Sequence, residues 1–324
     1  MQYREFARTG WKVSEIGFGA WQLGGEWGET DDDDSIRTLL HAFERGINFV
    51  DTAELYGKGR SEEVIGRALK EWRGDRIYVA TKAQPTVWPS PSDDSPTIRG
   101  RYPSWHLRDS VEKSLKRLQV EQLDLFQLHC WVADGCTVLD WLETLNALKL
   151  EGKIDQIGVS IRDYRPSEGL DLSQLGLVNS VQVVLNLFEQ RPAADLFQRG
   201  KETATAFIAR VPLDSGSLTG TWHPQTYKSW RKDSVPAWLF REERFSETLR
   251  RVDALKSLCR PYYASLAEAA MRYVLSVPGL TTVIPGISNP RECDLNVAVS
   301  DGAAFPQELA EKLAAHAWPR NFYQ

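Results

Sequence analysis

Asp51-Thr-Ala-Glu-Leu-Tyr56-Gly-Lys-Gly-Arg-Ser61-Glu62 follows a buried-strand pattern at residues 47–50 and opens a helical pattern at 61–72. A strand therefore delivers an acid and a phenol to one place. Two later strand patterns end the same way: Tyr78-Val79-Ala80-Thr81 runs into Lys82, and Leu123-Asp124-Leu125-Phe126-Gln127-Leu128 runs into His129. In a parallel α/β architecture the carboxyl ends of the strands share one rim, where sites are built from several strands at once. Asp51, Tyr56, Lys82 and His129 are expected to meet there.

Singly, each residue has a plainer reading. A lysine ending an apolar strand can snorkel to water, and a lone histidine is commonly a hydrogen-bonded core imidazole. Together the four suit proton transfer to a carbonyl oxygen as hydride arrives at its carbon. A tyrosine titrates near pH ~10, so acting as an acid at neutral pH requires a cation that stabilises its phenolate. Lys82 supplies that cation, Asp51 holds the ammonium, and a neutral His129 donates a hydrogen bond that orients the substrate oxygen.

Working outward, apolar strand-like runs alternate with amphipathic helical runs, the signature of repeated βα units. Eight strands are expected at 16–19, 48–51, 77–82, 123–129, 156–160, 181–186, 206–212 and 282–285. Helical patterns lie at 35–45, 61–72, 106–118, 139–150, 245–258 and 266–277. The flanks of Thr9-Gly10 read as an N-terminal β-hairpin. Insertions at 84–104 and 214–238, and the tail after Trp318, break the rhythm. Loops this long in a compact domain are usually functional or disordered. Their aromatics can line an apolar pocket at the barrel mouth or simply pack the loops onto the helices. The fold expected is a (β/α)8 TIM barrel of one domain, residues 1–324, with an N-terminal β-hairpin and long loops at the carboxyl rim.

The residues resemble the aldo-keto reductase superfamily over nearly the whole chain. The family run Asp-Thr-Ala-x-x-Tyr-Gly-x-Gly-x-Ser-Glu-x-x-x-Gly-x-Ala-Leu is matched from Asp51 to Leu69 at every fixed position. A second family stretch runs from Leu107 to Leu118 and leads into Asp124-Leu125 and His129; a third is Gly152-Lys153-Ile154-Asp-Gln-Ile157-Gly158-Val159-Ser160. The resemblance implies carbonyl reduction, or its reverse, with Tyr56 as proton donor, Lys82 and Asp51 tuning it and His129 positioning the carbonyl. It also implies that the hairpin closes the bottom of the barrel. Trp21, Trp88, Trp131 and Trp222 are the candidate substrate-pocket residues. Some members bind cofactor tightly and serve as channel β-subunits, so a redox-sensing regulatory subunit is the rival expectation. A barrel isomerase or lyase, working without nicotinamide, is a third.

No Gly-x-Gly-x-x-Gly follows the first strand, since Gly17-Phe-Gly19-Ala-Trp-Gln-Leu-Gly24-Gly25 has the wrong spacing. The resemblance implies a nicotinamide cofactor bound the barrel way, beside Asp51. Ser160 and Gln182 hold the carboxamide, Pro212, Leu213, Ser215 and Ser217 follow the pyrophosphate, and the segment from Gly286 through Ser288 and Glu292 to Asn296 meets the adenosine end. Asp214-Ser-Gly-Ser-Leu-Thr-Gly220 is a plausible backbone cradle for phosphate. Where many members stack an aromatic ring on the nicotinamide, this chain has Arg210, whose charge disfavours the oxidised ring. Where Ser-Asn is common, it has Ser160-Ile161. Glu292 repels a 2′-phosphate and suits a ribose hydroxyl, whereas Arg291 and Ser288 can hold the phosphate. Dual use with NADP(H) modestly favoured over NAD(H) is expected.

Composition sets the remaining bounds. With 324 residues, 42% of them hydrophobic, the chain can bury a full core, and a net charge of -5 argues against a general nucleic-acid or anionic-membrane surface. The N-terminus lacks an apolar signal core and no apolar run approaches the ~20 residues of a membrane span, so a cytoplasmic protein is expected. Cys130, Cys136, Cys259 and Cys293 show no paired ligand spacing, so neither metal nor disulfide is expected. Cys130 reads as a packed core thiol. The expected partner is a small carbonyl or alcohol; substrate and oligomeric state are not legible.

Overall fold

Antiparallel strands β1 (Tyr3–Phe6) and β2 (Trp11–Ser14) pair from Tyr3↔Ser14 to Phe6↔Trp11 in a computed structural model that describes residues 1–241 and 243–322. The alternating apolar side chains of this hairpin point one way. Phe6, Trp11 and Val13 pack against Phe49, Ala80, Leu125, Ile208 and Ile284, sealing one end of the sheet interior. Trp11 stacks on Tyr78 with ring centroids 4.6 Å apart, and Phe6 on Phe49 at 5.6 Å.

Eight parallel strands follow: β3 (Phe18–Gly19), β4 (Phe49–Asp51), β5 (Tyr78–Ala83), β6 (Leu123–Trp131), β7 (Ile154–Ile161), β8 (Ser180–Val184), β9 (Ala206–Arg210) and β10 (Thr282–Ile284). Each pairs with its sequence neighbour, and bridges Ile16↔Val283 and Gly19↔Gly286 bring the first and last together as a barrel. Every sequence-expected strand is present, some a few residues shorter or longer. Helices such as Asp32–Glu44, Arg60–Glu71, Ser104–Leu118 and Leu266–Ser276 cover the outside. Asp31 and Ser265 cap two of them, accepting from Asp34 N and Glu268 N.

Strand period places residues two apart on one face. Phe49 and Asp51, Ala80 and Lys82, and Leu125, Gln127 and His129 thus climb the interior together. The lower level is apolar and the upper one polar, which puts the chemistry at the carboxyl rim. The short helix Val235–Leu239, with Phe240, Phe245, Trp222, Tyr227 and Trp230, forms a second, aromatic cluster above the barrel. Trp27 and Phe322 pack onto it. Among the described residues no helix is long and apolar enough to cross a membrane.

Candidate active site

The opening motif builds its own support. Ser61 Oγ donates to Ala20 O at 2.9 Å and accepts from Thr52 Oγ1 at 2.8 Å. Glu62 is fully buried, taking Thr81 Oγ1 and Arg117 Nε at 2.5 Å each, so helix Arg60–Glu71 is tied to both β5 and helix Ser104–Leu118. Gly57 has φ 59°, and an added Cβ there would meet Gly24 Cα at 2.7 Å. The tight turn this permits fixes Tyr56 over the rim.

Lys82 is fully buried. Its ammonium donates to Asp51 Oδ1 at 2.5 Å and Thr52 O at 2.7 Å, and stands 3.5 Å from Tyr56 Oη. Asp51 Oδ2 accepts from Gln182 Nε2 at 2.7 Å and Gln127 Nε2 at 3.2 Å. Ser160 Oγ in turn donates to Gln182 Oε1 at 3.5 Å. A charge pair this deep persists only because each partner has further hydrogen bonds. Burial raises the Tyr56 pKa above its ordinary value, and Lys82 pulls it back down, with Arg210 adding to that pull. His129 is held well below its usual range by burial and then by Lys82 and Arg210, so it is neutral at pH 7. Its Nδ1 is buried with no hydrogen-bond partner among the described residues. Its ring meets Tyr56 and Trp88 edge-on, each at 5.8 Å, while Trp21 stacks on Tyr56 at 5.8 Å.

Tyr56, His129 and Asp51 open into a cavity of about 1130 Å³, roomy enough for a dinucleotide with a small substrate. It extends past Gln182, Arg210, Pro212, Leu213, Ser215 and Gly216 to Gly286, Ser288, Glu292 and Asn296. Trp21 and Trp88 line it, as does Trp27, which the sequence reading had not singled out. Two expected pocket residues do not. Trp131 is fully buried, donating Nε1 to Glu168 O, and Trp222 belongs to the aromatic cluster. Indoles large enough to form a wall are also the best core fillers, and spacing does not separate the two. Ser160 and Ser217 likewise lie behind the wall, bonded to Gln182 and Asp214. Burial pushes the Cys130 thiol up to about 12, so it is not a nucleophile.

The walls suit a dinucleotide. Leu213 at φ −98°, ψ 19° is followed by Asp214 and Ser215 in left-handed conformation, the alternation that forms backbone anion nests. The Asp214 carboxylate is turned onto Arg320 and Ser217, so it does not repel an anion there. Gly286 packs closely on the Gln22 amide, which an added Cβ would meet at 1.6 Å and push aside, and Gln22 Oε1 is buried without a partner among the described residues. Val211, at φ 56°, is strained for a β-branched residue, as happens beside functional sites. Among the described residues no cluster of His, Cys, Asp and Glu could hold a metal.

Sequence reasoning missed Gln127, Trp27 and Arg320. For Gln127 a signal existed: it is the polar residue two before His129 on an otherwise apolar strand face. For Arg320 there was none, because the tail has no periodicity to read.

A parallel barrel with a buried Lys–Asp pair under a tyrosine and an uncharged histidine, opening on a dinucleotide-sized cleft, defines an oxidoreductase of the carbonyl–alcohol type. The Aldo/keto reductase family profile matches residues 15–317. The chain belongs to that family, whose members use nicotinamide cofactors. It is 31% identical to the aldo-keto reductase YhdN of Bacillus subtilis over 91% of this chain and 87% of that one. It is 27% identical to the NADH-specific methylglyoxal reductase of Escherichia coli, covering 93% and 96%. The solved glycerol dehydrogenase of Gluconobacter oxydans superposes with TM-score 0.79 at 28% identity, over 97% of this chain and 94% of that one. The regulatory-subunit alternative is not favoured.

Proposed function

We propose that Tyr56 is the proton donor in reduction of an aldehyde or ketone, and acceptor in the reverse direction. The observation that carries this is the 3.5 Å separation between its hydroxyl and the buried Lys82 ammonium, at the floor of the cavity. As the carbonyl carbon is reduced, its oxygen gains charge, the Tyr56 proton moves onto it, and Lys82 stabilises the phenolate left behind. His129, neutral, donates a hydrogen bond that holds the oxygen. Asp51 fixes Lys82, and Gln127 and Gln182 fix Asp51. The cofactor, when bound, supplies the hydride; Gln182, held from behind by Ser160, orients its carboxamide, the turn at 213–217 its pyrophosphate, and 286–296 its adenosine end. Trp21, Trp27 and Trp88 wall the substrate end. Tyr56→Phe tests the assignment: cofactor affinity should stay near wild type while single-turnover reduction falls by several orders of magnitude. A residual rate above about a tenth, less than ~1.4 kcal/mol of barrier, refutes it.

Both NADP(H) and NAD(H) are proposed as cofactors, with a modest NADP(H) preference resting on Arg291, which lines the cavity. Glu292 weighs the other way. Its carboxylate accepts from Ser288 N at 2.8 Å and so occupies a donor that a 2′-phosphate would take. The relative named NADH-specific supports the NAD(H) side of this dual use.

A further inference from the structure

Arg210 ends β9 beside Val184 of β8 and Ile284 of β10. Its guanidinium does not stay there. Nη2 donates to Ile161 O at 2.8 Å and pairs with Asp163 Oδ1 at 2.6 Å, both at the end of β7. To reach from β9 to β7 the side chain crosses the end of β8, above the buried Gln182, and so lies on the floor of the cavity that Tyr56 and His129 also line. Two strands' worth of reach and two anchors leave a permanent cation in a fixed place, since a guanidinium does not deprotonate at any working pH. Its charge is felt at both Tyr56 and His129, which places it within electrostatic range of the reacting atoms.

We infer that the Arg210–Asp163 pair sets how tightly the protein holds the oxidised cofactor relative to the reduced one. The inference rests on the nicotinamide reading above. The two forms carry the same phosphates and differ at the ring, which is cationic when oxidised and neutral when reduced. A fixed cation near the ring weakens the oxidised form selectively, and Asp163, as its counter-ion, moderates that penalty. Weak retention of the oxidised form lessens product inhibition when the enzyme runs as a reductase, so the pair favours reductive turnover without altering the overall equilibrium.

The test is the ratio of dissociation constants, oxidised over reduced, for one cofactor, titrated by tryptophan quenching without substrate. Phosphate contacts cancel in that ratio. Arg210→Met should lower it by roughly tenfold, about 1.4 kcal/mol. Asp163→Asn should raise it, because the cation then loses a counter-charge, and Arg210→Lys should stay near wild type. Opposite signs for the two neutralising variants are what a purely structural role would not produce. Equal changes in both forms, or the same sign for both variants, overturns the inference. Should neither form bind the wild-type protein, the nicotinamide reading itself fails; should both bind with a ratio indifferent to the variants, this inference alone fails.

Discussion

Replacing Lys82 by methionine keeps most of the length of the side chain and removes its charge. Two consequences follow from the distances. Unit charges 3.5 Å apart at an effective dielectric near ~20 attract by roughly 5 kcal/mol, which bounds what Lys82 gives to a Tyr56 phenolate. Some of that is recovered from water in the cavity, so the barrier to reduction should rise by about 3–5 kcal/mol, roughly two to four decades in rate. Because Lys82 is the main influence lowering the Tyr56 pKa, its loss moves that pKa further up. The alkaline limb of the reduction profile, where the donor is lost, therefore shifts to higher pH or disappears. The second consequence is structural. Among the described residues Asp51 would keep only Gln127 and Gln182 as side-chain donors, and an uncompensated buried charge costs about 3–5 kcal/mol of folding stability. The two effects separate when single-turnover reduction is followed by cofactor fluorescence between pH 5 and 10, alongside urea unfolding. A rate loss below tenfold in folded protein, with an unchanged pH profile, refutes the role given to Lys82.

Glu292→Gln should raise NADP(H) affinity more than NAD(H) affinity; equal effects in paired titrations would show that Glu292 does not face the 2′ position. His129 should make stability pH-dependent. Its folded pKa is depressed, so its contribution is fully present above ~6.5 and is lost as pH falls below that value, where the unfolded chain takes up the proton. Urea unfolding at pH 7.5 and 5 should thus show a smaller loss for His129→Asn than for wild type, and identical losses would contradict the burial argument. Arg320→Met leaves the buried Asp214 without its ion pair and should cost on the order of 3 kcal/mol. Unaltered unfolding would show that the tail does not hold the turn at 214–219.

The alternation of strand and helix patterns, and the rim position of Asp51, Tyr56, Lys82 and His129, are legible from sequence because both depend on local rules. Period-two burial decides which side chains face inward, and a residue ending an inward strand face reaches the rim wherever its neighbours lie. Gln127 obeys the same rule and could have been read with them. Tertiary structure decided what local rules leave open. Trp21, Trp27, Trp88, Trp131 and Trp222 are chemically equivalent in sequence, yet three line the cavity, Trp131 fills the core and half-buried Trp222 packs on the outer aromatic cluster, because only the assembled loops determine what each indole faces. Arg210 shows the same limit for charge. The sequence places a cation at the end of β9; its crossing to Asp163 depends on β7, β8 and β9 lying side by side, a long-range pairing that no local pattern encodes.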